Sequence, residues 1–288
     1  MRAIGTSQLF SYFDASAEPR EAKYTEIRKG VGHPVKSFMD LAKKVAELQY
    51  RNPELELLFR GQNSDHQNLQ KNSTLKPTIL RSAKGSRQPP ARALLHERFE
   101  RLAQAEQQLV ALFEAKDLLP KTQLRRQRIL RWAILQHYEV CATPLLDVSR
   151  SLRIAASFAT VGAENEAYIY VLGVPNLSGV LTVSIDSGIQ TIKLAGICPP
   201  AALRPHIQEG YLMAEFPEMG AFDQKLEYEH YETDFGRRLV AKFRFNPKTF
   251  WADRSFPRVP QRALYPDAHD SLAKLLKSIR LPSPKAPR

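Results

Sequence analysis

Arg60, Gly61 and Gln62 close an apolar run that begins at Leu55 and is interrupted only by Glu56. A strand ending this way carries a permanent cation out of a buried sheet, and the glycine beside it lets a ligand or another backbone approach closely. The same residues also fit a strand entering a turn, with Arg60 pairing a carboxylate elsewhere. Two later groups could join the cation. Gln136-His137-Tyr138 offers an amide, an imidazole and a phenol in succession, and Thr143-Pro144-Leu145-Leu146-Asp147 ends on a carboxylate, with Ser149 two residues on. Arg60, His137 and Tyr138 together could bind and cleave a phosphodiester without a metal. Each group also has a purely structural reading. His137 at a helix C-terminus would be satisfied by the helix dipole, and Asp147, Ser149 or Ser151 could cap the helix that follows.

These residues need elements to hold them. Ile129, Trp132, Ala133 and Gln136 keep helical spacing, so residues 125–138 are expected to form a helix with Gln136-His137-Tyr138 at its C-terminal end. Residues 152–159, LRIAASFA, read as a short helix that carries Phe158. Upstream, Ser37-Phe38-Met39-Asp40 is a capping pattern before Leu41, Ala42, Val45 and Leu48. Leu95, Phe99, Leu102, Leu109 and Phe113 mark a long amphipathic helix that ends before Pro120; such a stripe is core. Strands are expected at residues 55–59, 167–174, 180–185, 207–216 and 239–245, the fourth carrying Gln208 and Glu209. Residues 1–35 read as a loose extension ending in a strand at 24–27, and residues 269–279 as a terminal helix before a proline-rich tail, 281–288. Loop material fills the stretch up to Pro90, with Gly85 to Pro90 as its mobile part. Helices early and strands late predict an α+β fold with a mixed or antiparallel sheet.

Composition sets the outer bounds. The 288 residues suffice for a core without staples, and no apolar run is long enough to span a membrane. No signal-peptide core is visible at residues 1–13, and two cysteines make neither a disulfide framework nor a metal site, so a cytoplasmic protein is expected. Cys141 is read as a small buried apolar residue. The net charge is +12, and residues 71–131 hold fourteen Lys/Arg against five Asp/Glu. That concentration fits RNA or DNA binding through the phosphate backbone; it also fits a solvated face or a surface for an acidic partner. Several chemistries lack their motifs. There is no G-x-S-x-G elbow, no H-E-x-x-H metal pattern and no G-x-G-x-x-G after a strand.

The order of Phe59-Arg60-Gly61-Gln62, Gln136-His137-Tyr138, Thr143 to Asp147 and LRIAASFA closely resembles the FRG domain family, named for its Phe-Arg-Gly triplet. Leu75 to Arg81 resembles that family's leucine, proline and arginine segment, and Gln208 to Tyr211 its late glutamine and glycine element, so the likeness runs over about residues 36–280. Glu139 stands where the family usually has glycine, and Pro144 replaces an arginine.

A remoter likeness is to ADP-ribosyltransferases that use NAD as substrate, and it implies an ADP-ribosyltransferase-like core. In that layout Arg60 would hold the cofactor's phosphates with Gly61 and Gln62. Gln136, Thr143, Ser149 and Phe158 would line its pocket. Gln208 or Glu209, with Glu215 and Asp147 as further candidates, would face the cation formed at the ribose. His137 would serve as base, and Tyr138 or Phe158 as aromatic wall. The resemblance implies an enzyme that modifies a macromolecule without a metal, in the manner of a toxin or phage-defence effector held by an antitoxin or other inhibitory protein. A nucleic-acid or protein-interaction module without catalysis, and a metal-independent nuclease, are the competing expectations.

Overall fold

Apolar side chains recur with period two in some segments and near 3.6 in others, and the two patterns fold into a large mixed sheet with a core on each face, beside a separate two-stranded ribbon. The computed structural model describes residues 1–4, 9–13, 16–82, 86, 88–229, 233–253 and 255–282. The chain opens with β1 (Phe10–Ser11), β2 (Arg20–Glu21), α1 (Tyr24–Lys29), β3 (His33–Pro34), α2 (Phe38–Arg51) and β4 (Glu56–Gln62). A helical stretch follows: α3 (Arg92–Ala115), α4 (Lys121–Arg126) and α5 (Arg128–His137). Next come β5 (Leu146–Ser149), α6 (Leu152–Ala159), β6 (Ala167–Val174), β7 (Leu181–Ser184) and β8 (Ile189–Lys193). The last elements are α7 (Leu203–Ile207), β9 (Gly210–Glu215), α8 (Phe222–Leu226), β10 (Leu239–Phe245), α9 (Gln261–Leu264) and α10 (Ser271–Leu276).

The large sheet runs β3-β10-β6-β4-β5-β9-β8-β7, and every pairing is antiparallel except β10 with β3. The fold is therefore α+β with a mixed sheet. β9 shows how the pleat divides the interior. Tyr211 and Met213 enter the core beneath α2 and α6, while Leu212 and Ala214 enter the second core beneath α3, α4 and α5. A buried carboxylate ties that helical layer together: Trp132 Nε1 donates to Glu106 Oε1 at 2.7 Å, and Arg131 Nε to Glu106 Oε2 at 2.7 Å. No helix among the described residues is long and apolar enough to cross a membrane.

Three expectations change. Residues 24–27 belong to helix α1, because Lys23 and Glu26 cap it and the adjacent Ile27 and Arg28 are both buried, which a one-sided strand would not allow. The described part of residues 1–35 is packed: Ile4, Leu9, Tyr12 and Ile27 enter the core, and Arg28 pairs with buried Asp234 at 2.6 Å. The strand expected from 207 starts only at Gly210, leaving Gln208 as the C-cap of α7 and Glu209 in a left-handed turn at φ 44°. Strands β5 and β8 carry no long alternating run and were not anticipated; in β8, Gln190 and Thr191 are as buried as Ile189 and Ile192. The tail from residue 283, and Gly85 and Arg87 of the expected mobile part, lie outside the described residues.

Gly61 supplies the tightest contact in this layout. A Cβ there would stand 1.8 Å from Ala155 O and 2.7 Å from Ala159 N, so the glycine admits the backbone of α6 and not a ligand. Gly61→Ala should destabilise the fold by about 3 kcal/mol, the upper end of overpacking costs, read from the urea midpoint, since rigid backbone cannot yield as a side chain would.

Candidate active site

A split in the sheet makes the cleft. β4 and β5 share one register pair, Phe59 with Ser149, after which the ladder stops. Arg60 Nη1 reaches across the gap to Asp147 O at 2.5 Å, taking over as donor where a strand N–H would otherwise serve. Below the bridge lies a cleft of about 420 Å³, within the range of small-ligand sites. It collects Arg60, Gly61, Gln62, Gln136, His137, Asp147, Ser149, Phe158 and Gln208 from segments far apart in the chain.

The end of α5 fixes two of these residues. Glu139 takes a left-handed φ of 57°, Glu139 N donates to Gln136 O, and Val140 N reaches back to Leu135 O. These bonds form a Schellman turn, which favours glycine at this position and so accounts for the family's usual residue there. A side chain in this conformation costs about 1 kcal/mol or more; the ion pair of Glu139 with Arg204 at 2.6 Å offsets part of it. The turn leaves Gln136 and His137 in the last helical turn, facing the cleft. Gln136 Oε1 accepts from Thr143 Oγ1 at 2.6 Å and Thr78 Oγ1 at 3.0 Å, so its Nε2 must point at Asp147 Oδ2, 2.6 Å away. The two threonines thereby set the amide's orientation, and the amide sets the carboxylate's.

Charge in the cleft is unevenly matched. Burial alone would raise the Asp147 carboxyl, but neighbouring His137, Arg60 and the Gln136 amide together hold it below the ordinary carboxylate range. His137 Nδ1 is 3.9 Å from Asp147 Oδ1, too far for a hydrogen bond, so their coupling is electrostatic. Burial holds His137 below its usual range, partly opposed by Asp147, so the imidazole is neutral near pH 7. Arg60 is lowered by burial. Arg81 keeps part of its length in solvent, yet desolvation of the rest and the nearby Arg60 pull it down to about 10. Several buried polar atoms here have no hydrogen-bond partner among the described residues: Arg60 Nε, Gln62 Oε1, His137 Nε2 and Arg204 Nε. Buried groups are normally satisfied, so their concentration around one cleft marks a place where a polar ligand fits.

Other expected residues stand back from the cleft. The Tyr138 hydroxyl donates to Asp270 Oδ2 at 3.0 Å, and burial with nearby Cys198 and Asp270 raises it far above the usual phenol range. Asp270 also accepts from the backbone of Leu203, Arg204, Leu272 and Ala273, so Tyr138 belongs to a structural hub. Thr143 is fully buried and acts on Gln136. Ser149 donates to Gln208 O at 2.8 Å, and Gln208 Nε2 to Leu264 O at 2.7 Å, so each tethers backbone at the cleft's edge. Glu209 is exposed at its turn, and Glu215 is buried at the far end of β9, paired with the Met1 ammonium. Asp147 does not cap α6; it lies on β5, and Ser151 is the cap.

Thr78, His66, Arg204 and Tyr265, to which the sequence reading assigns no role, also line the cleft. Tyr265 meets Phe158 edge to face at 5.6 Å, and the Arg204 guanidinium lies 4.7 Å above the Tyr265 ring. Arg81 closes the segment that resembled the family's leucine, proline and arginine element, which was the available signal for it; Arg204 and Tyr265 had none. The basic stretch is partly tied up. Lys121, Arg128 and Arg131 pair with Asp117 and Glu106, and Arg98 donates to the Ile79 and Arg81 carbonyls. Cys141 packs against the helical core, and burial pushes its thiol up to about 12. Among the described residues, no group of three or more His, Cys, Asp or Glu side chains is placed to hold a metal ion.

His137 yields a pH prediction. Its unfolded value is near 6.5 and its folded value lower, so below about pH 6.5 the unfolded chain binds more protons and stability falls as pH drops. Urea midpoints should therefore fall between about pH 7.5 and pH 5.5. His137→Gln should flatten that step.

Residues 55–167, from the residue before β4 to the first residue of β6, match the FRG domain family. No curated protein and no solved structure matches the chain. The matched span holds the split strands, Arg60, Arg81, the α5 turn and Asp147, whereas Arg204, Gln208 and Tyr265 come from beyond it. This chain carries an FRG domain, and the core of its cleft is built from that domain.

Proposed function

We propose that the protein transfers the ADP-ribosyl group of NAD to a macromolecule, with the split-sheet cleft as its active site. One observation carries the reading: Asp147 is held ionised in the same cleft as Arg60 and Arg81, yet its carboxylate is bonded by a neutral amide and ion-paired to neither arginine. A carboxylate left unneutralised beside cations suits a substrate that brings phosphate to the arginines and develops positive charge near the acid. NAD does both. When its bond to nicotinamide breaks, the electron pair passes to the ring nitrogen and the ribose carbon becomes oxocarbenium-like.

The residues divide the work accordingly. Arg60 and Arg81 offer guanidinium donors to the pyrophosphate, and Phe158 with Tyr265 gives a ring an aromatic wall. Asp147 stabilises the ribose cation, a task for which the neutral amide of Gln208 would be a weak substitute. Neutral His137 accepts the proton of the incoming nucleophile. The exposed cations of residues 71–131, such as Lys116 and Arg126, favour a nucleic acid as the macromolecule.

Labelled NAD incubated with separate RNA, DNA and protein pools should give a labelled product and free nicotinamide. Asp147→Asn should lower turnover by about 100-fold or more while the fold survives, because Asp147 caps no helix. Arg60→Ala should abolish turnover and Arg60→Lys should not restore it, since lysine lacks the planar fork. Arg60 also bridges the sheet, so Arg81→Gln provides a second variant, expected to weaken NAD binding alone. Absence of both NAD binding by calorimetry and nicotinamide release with every pool would remove the transferase reading.

A further inference from the structure

The sheet ends on β7, whose outer edge pairs with nothing among the described residues. Natural edge strands usually carry a lysine, a proline or a bulge that blocks further pairing. Residues 178–185, which contain β7, carry none: they read SGVLTVSI, without charge up to the exposed Asp186, in a chain of net charge +12. Val180, Leu181, Val183 and Ile185 are 42%, 39%, 39% and 78% exposed, the densest run of exposed apolar side chains in the described structure.

The pattern of the strand says what covers it. Val180 O accepts from Lys193 N, so residues 180, 182 and 184 spend their backbone groups on β8, and 181 and 183 turn theirs outward. Leu181-Thr182-Val183-Ser184-Ile185 is a palindrome of chemical type: apolar, hydroxyl, apolar, hydroxyl, apolar. A second copy related by a two-fold axis at Val183 meets it antiparallel. Val183 then faces Val183, Leu181 faces Ile185, and Thr182 faces Ser184, each on its own face of the sheet. Val183 would exchange both of its outward backbone bonds with its equivalent. The neutral strand also lets two basic chains meet where neither presents like charge, whereas an acidic partner would find no cation there.

We propose that the protein forms a two-fold homodimer through β7, joining the two sheets edge to edge. The contact is short, so the dimer is concentration-dependent. Sedimentation velocity over a concentration series should show monomer passing to dimer. Val183→Lys, which sets two charges on the axis, should weaken association by more than about tenfold. Val183→Pro, which removes the outward N–H at an edge position that tolerates proline, should do the same. Val183→Cys in a background with Cys141 and Cys198 replaced by serine should give an oxidised dimer, and Thr182→Cys in that background should not. This cross-link keeps the test open if the lysine variant fails to fold. A wild-type chain that stays monomeric at every concentration overturns the proposal. A dimer that survives both the lysine and proline variants, or cross-linking at 182 in place of 183, also overturns it.

Discussion

The bond from Arg60 Nη1 to Asp147 O is the contact on which the site depends. A sheet that separates between two central strands leaves backbone groups without their ladder partners, and buried backbone groups must be satisfied. Arg60 meets that demand with a side chain, and a charged donor makes such a bond stronger than its neutral equivalent. The strands can then stay apart at a fixed distance, which is the condition for a cleft at that point. Because the acceptor is the carbonyl of Asp147, the same bond sets where that residue's carboxylate stands. A cation that only entered the cleft to meet a ligand would leave the split unsupported.

A second set of buried ionic contacts fixes the cleft's other wall. The chain between β4 and Arg81 has almost no regular structure, yet it must place Thr78 and Arg81 accurately. Lys242, almost fully buried on β10, donates to Asp65 Oδ2 at 2.9 Å and Ser73 Oγ at 2.8 Å, and so clamps two points of that segment. Tyr170 adds a bond to Asp65 Oδ1 at 2.8 Å. Arg28 holds Ser73 O at 2.8 Å and Asp234, whose other oxygen accepts from Leu75 N. Buried ion pairs are weak sources of net stability, but breaking one is costly, so they specify a single arrangement well. Here they make an irregular segment as definite as a strand.

The legibility of the sequence varied with the range of the forces involved. Residues 152–159, 167–174 and 239–245 coincide with α6, β6 and β10, because Ser151 caps the helix and β-branched and aromatic residues fill the two strands. β5 was not legible, since four residues with an aspartate inside do not announce a strand; it exists because β4 and β9 lie on either side of it. α1 is hard to read because its six residues are too few to show a period, while Arg28 commits it to a helix through Ser73 and Asp234, both distant in sequence. Within the site, Arg60, Gln136, His137 and Asp147 stood out as reactive residue types beside element ends. Arg204 and Tyr265 did not, because what makes them part of a site is their stack on each other in the cleft lining.

The sequence by itself determined which segments are helix and strand where periodicity is long, that the fold is α+β, and which few polar residues sit at the ends of apolar elements. Those follow from local sterics, capping and the hydrophobic pattern, all of which act within a few residues. Tertiary structure decided the assignments that depend on neighbours. It made Gly61 a seat for the backbone of α6, removed Asp147 from any capping duty, turned Tyr138 toward Asp270, and left Glu209 and Glu215 outside the cleft. The physical reason is common to all of them: where a side chain points, and whether its charge is met, is set by groups many residues away whose position only the packed sheet defines.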